Sequence, residues 1–217
     1  AYRTIENHIH PDSHRLLCMR RTLVIMLKEP RAGRVKTRLG AEIGMTAAAW
    51  WFRHQTASLI RAIQDPRWEV VLAVAPDREG MQSRIWPRYL RRIPQGQGNL
   101  GDRMSGVFGF APYGPVCIIG GDIPGITRRH IARAFAALGE KDAVVGPAPD
   151  GGYWLIGLKH PRRAPKTLFA RVRWSSEHAL SDTVTSISAL SVAYVDVLHD
   201  VDTLEDLRMT RVGARAT

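Results

Sequence analysis

TLVIMLKEPRAGRVKTRLG, residues 22–40, decides the fold. Its first six residues, Thr22 to Leu27, are a β-prone apolar run with almost no polar alternation, the pattern of a parallel strand covered on both faces. The run breaks at once into a basic turn carrying Lys28, Pro30, Arg31, Gly33, Lys36, Thr37 and Arg38. Gly33 permits a backbone path closed to other residues. Four cations and free loop amides just ahead of a helix suit a polyanion. The loop is not a Walker A motif, which needs a glycine where this chain has Lys28.

Outward from this stretch, strand-loop-helix units recur every 25 to 45 residues or so. A helix is expected over Met45–Ile63, capped by Thr46, with Trp50, Ala57 and Ile60 on its inner face. Further helices are expected over Thr127–Leu138 and Ser176–Leu190, with a short last one near the C-terminus. Strands are expected at Glu69–Ala75, Val116–Ile119, Asp142–Val145, Tyr153–Leu158 and Val192–Val197. The pattern implies an α/β fold: a doubly wound, mostly parallel, Rossmann-like sheet with helices on both faces. Ligands of such sheets bind beyond the carboxyl ends of the strands. The unusual residues of this sequence fall there.

Composition sets the outer limits. The chain has 217 residues, 45% hydrophobic and 24% charged, which suits a soluble globular protein. The longest plain aliphatic run, Leu23–Leu27, is far short of the roughly 18 residues that cross a bilayer. Residues 1–21 are expected to be a flexible N-terminal extension, and 22–217 a single domain. The extension has no apolar signal core, so a cytoplasmic location is expected. Cys18 and Cys117 stand far apart, without CxxC or Cys/His spacing, against a disulfide framework or a structural zinc site. The net charge of +11 raises a nucleic-acid-binding reading. The basic residues form three separated clusters, 28–38, 84–103 and 159–173, with no RNP-type motif, zinc finger or clear helix-turn-helix, which weighs against that partner.

Four further constellations could carry chemistry. GQGNLG, residues 96–101, imitates a dinucleotide fingerprint, but the Arg- and Pro-rich PRYLRRIPQ before it is no buried first strand. Gly98 and Asn99 are expected instead to border a nucleotide pocket, with Asn99 or Asp102 capping the next helix. Asp122 in GGDIPG ends an apolar strand, where a single carboxylate beside a cationic loop suits Mg²⁺ or Mn²⁺. Asp200 and Asp202 form a DxD string that can supply a second metal ligand, although Asp202-Thr203-x-Glu205 is also a helix-capping pattern. Asp150, Gly151, Gly152, Tyr153 and Trp154 combine close backbone approach with aromatic faces for a sugar or base. There is no GxSxG and no cysteine with a histidine partner nearby.

Taken in order over residues 22–209, KEPRAGRVKTRLG, QGQGNLGDRM, IGGDIPG, PDGGYWLIGL and DVDTLEDL resemble the bacterial transferases of the nucleotide-diphospho-sugar transferase fold. Within it the resemblance is to the radical-SAM/selenodomain-associated transferase 1 group, also called arsenosugar-type glycosyltransferases. More distantly the chain is similar to molybdenum-cofactor and phospholactate guanylyltransferases. The resemblance implies a nucleotide or nucleotide-sugar donor, a small-molecule acceptor and a divalent metal. It makes Lys28, Arg31, Gly33, Lys36 and Arg38 the phosphate loop, Asp122 the principal metal ligand and Asp202 a second. Asp150 with the following Gly151, Gly152 and Tyr153 would border the acceptor or sugar; in the transfer this suggests, Asp150 is the candidate for orienting or deprotonating the acceptor hydroxyl. Gly121-Asp122-Ile123-Pro124 departs from the DxD of typical glycosyltransferases toward the nucleotidyltransferase form. Glycosyl transfer and nucleotidyl transfer therefore both stand.

Overall fold

A computed structural model describes residues 20–110 and 114–213. The 1–21 extension, Cys18 included, lies outside the described residues except for its last two positions. Arg21 already belongs to the body. Its carbonyl accepts from the Glu69 amide at 2.9 Å, and its guanidinium lies 5.8 Å from the Phe135 ring centre.

Seven strands form one sheet: β1 (Thr22–Lys28), β2 (Glu69–Ala75), β3 (Arg91–Pro94), β4 (Val116–Gly120), β5 (Ala143–Pro147), β6 (Tyr153–Leu158) and β7 (Val192–Tyr194). Their order is β3-β2-β1-β4-β6-β5-β7, and only β6 runs antiparallel to its neighbours. β1 is central as expected, hydrogen-bonded to β2 and β4 and buried from Thr22 to Leu27 but for a half-buried Met26. Because side chains alternate across a strand, the two faces build separate cores. Leu23, Ile25 and Leu27 pack with Phe52, Leu59, Ile131 and Phe135 on one side; Val24, Val71 and Ile118 pack with Met104, Val107 and Phe108 on the other. The helices behind these names are α1 (Thr37–Ile43), α2 (Met45–Ala62), α3 (Asp77–Gln82), α4 (Leu100–Phe110), α5 (Arg128–Glu140), α6 (Ala179–Ser186) and α7 (Leu204–Gly213).

The sheet differs from the sequence expectation in its details. Helix α2 is capped by Gly44 at φ 91°, not by Thr46, and Trp50 is 63% exposed, stacked on His54. The buried stripe is Ala48, Ala49, Phe52, Thr56, Leu59 and Ile60, rotated from the Trp50–Ala57–Ile60 face. Helix α6 has eight residues, not fifteen: before it the Ser176 hydroxyl donates to the Arg173 carbonyl in the preceding loop, and after it the Ser188 and Leu190 amides turn back to the Thr185 and Ile187 carbonyls in tight turns. Helices α1 and α3 and edge strand β3 were not expected. Each is short and carries little periodicity.

Candidate active site

The strand order reverses between β1 and β4, and the loops leaving their carboxyl ends diverge to open a cleft. Lys28 ends β1, and Asp122 stands two residues beyond β4. The turn holding Asp122 is fixed from α2: Thr56 Oγ1 donates to the Gly121 carbonyl at 3.1 Å and Gln55 Nε2 to the Ile123 carbonyl at 3.3 Å. Gly121 is required there, since a Cβ would run into Leu27. Gln95 binds the ends of β1 and β2 together, its Nε2 donating to the Leu27 and Ala73 carbonyls at 2.9 and 2.8 Å.

Lys36 is the centre of the site. It stands at the start of α1 in the left-handed region, φ 45° and ψ 50°, a conformation that costs a side-chain-bearing residue roughly 1–3 kcal/mol. That backbone turns its side chain inward. Its Nζ lies 2.6 Å from Asp122 Oδ2, 2.6 Å from Asp202 Oδ1 and 3.6 Å from Asp200 Oδ2. Burial works against the ammonium charge, but Asp122 and then Asp202 more than offset it and hold Lys36 protonated above its ordinary range. Arg38 braces Asp202 from the outer side, Nη1 to Oδ2 at 3.1 Å. Burial raises the Asp200 carboxyl to about 6; Lys36 opposes the rise, and Asp202, Asp122 and Asp150 add to it.

The helix-capping alternative for Asp202 is settled by its neighbours. Asp206 accepts from the Asp202 and Thr203 amides and from the Thr203 hydroxyl, while Thr203 Oγ1 accepts from the Asp206 amide. Thr203 and Asp206 thus cap α7, and the Asp202 carboxylate is left for the cleft. Asn99 and Asp102 cap α4 in the same reciprocal way, so both residues named for that role perform it together.

Ligand oxygens of Asp122, Asp200 and Asp202 lie within 4.8 Å of one another. Three carboxylates against one buried ammonium leave an excess of negative charge, and hard oxygen donors in that number suit Mg²⁺ or Mn²⁺. Their donor set could hold a divalent cation, in the place among the carboxylates where the Lys36 ammonium stands.

The cleft has two halves that share Lys28, Arg38, Asp122, Ser175 and Asp202. The first, of about 710 Å³, is lined by Lys36, Thr37, Gln95, Gly98, Asn99 and Arg103. The second, of about 650 Å³, is lined by Asp150, Gly152, Tyr153, Trp174, Glu177 and Asp200. Arg31 and Gly33 line neither. Arg31 turns to Glu79 on α3, 3.1 Å away, and Gly33 takes φ 75° in an open turn. Gly151 stands behind the second half, where a Cβ would strike the Glu177 backbone; it seats that loop. The Asp150 carboxylate accepts from the Gly152 amide at 2.9 Å. Tyr153 is bonded to Thr183 through its hydroxyl, and Trp154 is 2% exposed with Nε1 donating to the Asp196 carbonyl at 2.8 Å. Trp174, Ser175, Glu177, Gln95 and Arg103 were missed as site residues. The positive φ of Phe169, Arg171 and Ser175 marks the connection into α6, and such backbone strain has no sequence signature here.

A bacterial family described as "Uncharacterized protein conserved in bacteria" (DUF2064) matches residues 58–176, more than half the chain. The chain belongs to this family. No curated protein matches the sequence of this DUF2064 chain. Among solved structures, a "putative nucleotide-diphospho-sugar transferase" from Desulfovibrio desulfuricans G20 is 28% identical with TM-score 0.79, covering 88% of this chain and 86% of that one. The 4-diphosphocytidyl-2C-methyl-D-erythritol synthase of Anaerococcus prevotii shares the fold at 12% identity and TM-score 0.58, covering 91% and 96%. So does Rv0371c of Mycobacterium tuberculosis, solved as a manganese complex, at 18% identity and TM-score 0.52, covering 89% and 98%. The fold of the DUF2064 chain is that of the nucleotide-diphospho-sugar transferases, as the ordered motifs implied. No helix among its described residues is long and apolar enough to cross a membrane.

Proposed function

We propose that this protein is a metal-dependent transferase that moves a glycosyl group from a nucleoside-diphosphate sugar to a small-molecule hydroxyl. The observation that carries the reading is Lys36, held at the junction of a cationic half-cleft and three carboxylates. Lys28, Lys36 and Arg38 bind and orient the donor diphosphate, and Gly98 and Asn99 border the nucleotide. A divalent cation on Asp122, Asp200 and Asp202, when bound, supplies charge neutralisation for the leaving diphosphate. The acceptor oxygen forms a bond to the anomeric carbon as the bond from that carbon to the β-phosphate oxygen breaks. The electron pair stays with the nucleoside diphosphate, and the hydroxyl proton passes to the Asp150 carboxylate. The 28%-identical Desulfovibrio structure, described as a nucleotide-diphospho-sugar transferase, supports the donor class.

A second reading is favoured by one observation, the single-carboxylate turn Gly121-Asp122-Ile123-Pro124 in place of DxD. In it an acceptor phosphate attacks the α-phosphate of a nucleoside triphosphate and pyrophosphate leaves. A thermal-shift panel of nucleoside triphosphates and nucleotide sugars, each with and without Mg²⁺ or Mn²⁺, separates the two. A ligand at a hundredfold excess over its Kd stabilises by about 2.7 kcal/mol. Metal-dependent stabilisation by a nucleotide sugar is expected; stabilisation by triphosphates alone selects the nucleotidyltransferase. Asp122→Ala should abolish the metal-dependent shift while leaving the far-ultraviolet circular dichroism unchanged. A normal shift in that variant would remove Asp122 from the site.

A further inference from the structure

The cleft is divided by charge. Among the described residues, the charged side chains that line only the first half are Arg34, Lys36 and Arg103, all cations. Those that line only the second are Asp150, Glu177 and Asp200, all acids. Asp122 and Asp202 stand on the boundary, where Lys36 already answers them. Asp150 and Glu177 have no such close partner: Arg173 acts on Glu177 only from a distance and is paired with Asp182. Asp150 accepts one backbone amide, and the Glu177 side chain is 80% exposed, with only the His178 ring, at 3.7 Å, within ion-pair distance. The two shared cations, Lys28 and Arg38, stand on the same boundary, so five acids face two cations around this half, and the rest of its wall is neutral and partly aromatic, from Tyr153 and Trp174 to Ser175 and Ser176. A net excess of carboxylates around a cavity repels anions and admits neutral or cationic molecules. Aromatic faces beside them suit the apolar face of a ring.

We propose that the second half of the cleft selects an acceptor that carries no phosphate or carboxylate, a neutral or amine-bearing polyhydroxy compound, and that Glu177 is a determinant of this selectivity. The inference rests on the transferase reading for the fate of that compound. The charge selection itself needs no donor. Glu177 is placed for it by packing: its backbone lies directly over Gly151, and the Leu180 amide donates to the Gly151 carbonyl at 2.9 Å, so the Ser175–Ala179 loop is clamped above the Asp150 turn. A phosphorylated acceptor, as nucleotidyl transfer requires, would meet acids on that side.

Three probes of one ring scaffold test the proposal: glucosamine, glucose and glucose 6-phosphate. Binding to the full chain is followed by saturation-transfer NMR, with and without a nucleoside diphosphate and Mg²⁺. Glucosamine is expected to bind at least ten times more tightly than glucose 6-phosphate in both conditions. Glu177→Lys should shrink that ratio to threefold or less, and Glu177→Gln should give an intermediate value. Equal or tighter binding of glucose 6-phosphate, no discrimination among the three, or a ratio that Glu177→Lys leaves unchanged overturns the proposal. Because the order is read without nucleotide, a failure of the donor reading shows separately, as the absence of any metal-dependent thermal shift.

Discussion

At the residue scale, Lys36 joins two parts of the cleft that the linear chain holds apart. It lies in the basic turn after β1, yet its partners Asp122, Asp200 and Asp202 arrive from 86 to 166 positions downstream. The left-handed backbone that aims it is an unfavourable conformation kept at a site, which is where such strain collects. Lys36→Ala should weaken nucleoside-diphosphate binding tenfold or more, about 1.4 kcal/mol, by isothermal titration calorimetry. An unchanged dissociation constant would restrict Lys36 to holding carboxylates together. The cationic residue type and its loop were legible in the sequence. The inward aim was not, because a lysine after a glycine turn is compatible with many side-chain directions.

At the element scale, helices and turns place the site through contacts that periodicity only partly reveals. Helix α2 was legible as a helix, but Trp50 drew the apolar face to the wrong side, and the residues that matter to the site, Gln55 and Thr56, are polar. The second glycine-rich turn is more restrictive. Gly151 has φ 82° beneath the Glu177 backbone. Gly151→Ala combines a disfavoured φ with a clash and should cost about 2 kcal/mol or more, lowering Tm by roughly 4–8 °C in a chain of this size. A melt matching the wild type would show that the 175–179 loop is not seated there. The turn from α2 into β2 offers a pH test. Hydrogen bonds from the Arg67 side chain and backbone hold the Asp65 carboxyl down to about 2, below its ordinary 3.8. A carboxyl depressed in the folded state adds stability above its unfolded value and loses it as pH falls through the folded one. Asp65→Asn should therefore lose less Tm than the wild type between pH 3.8 and about 2, and parallel curves would exclude the pair as a source of acid sensitivity.

At the scale of the whole molecule, the +11 charge is distributed among local tasks rather than gathered into one polyanion surface. Arg31 and Arg34 meet Glu79, Arg92 donates to backbone carbonyls around Trp86, and Arg173 pairs with Asp182. The cationic half of the cleft gathers Lys28, Arg34, Lys36, Arg38 and Arg103 in one place. Raising NaCl from about 0.1 to about 1 M shortens the screening length from about 10 to about 3 Å. That change should weaken nucleoside-diphosphate binding several-fold, by calorimetry; salt-independent binding would place the nucleotide away from those cations.

By itself the sequence determined the doubly wound sheet, the central β1, the carboxyl-end loops and the residue types on them, because hydrophobic period and turn chemistry are local properties of the chain. It marked Asp122 and the 200–202 pair, and left the capping role of Asp202 open. Only the tertiary structure decided that Thr203 and Asp206 make the cap, that Arg31 turns away to Glu79, and that Glu177 lines the acidic half of the cleft. Each of these depends on contacts across strands or loops far apart in sequence. Such contacts exist only after the sheet has closed and brought its loops to one edge.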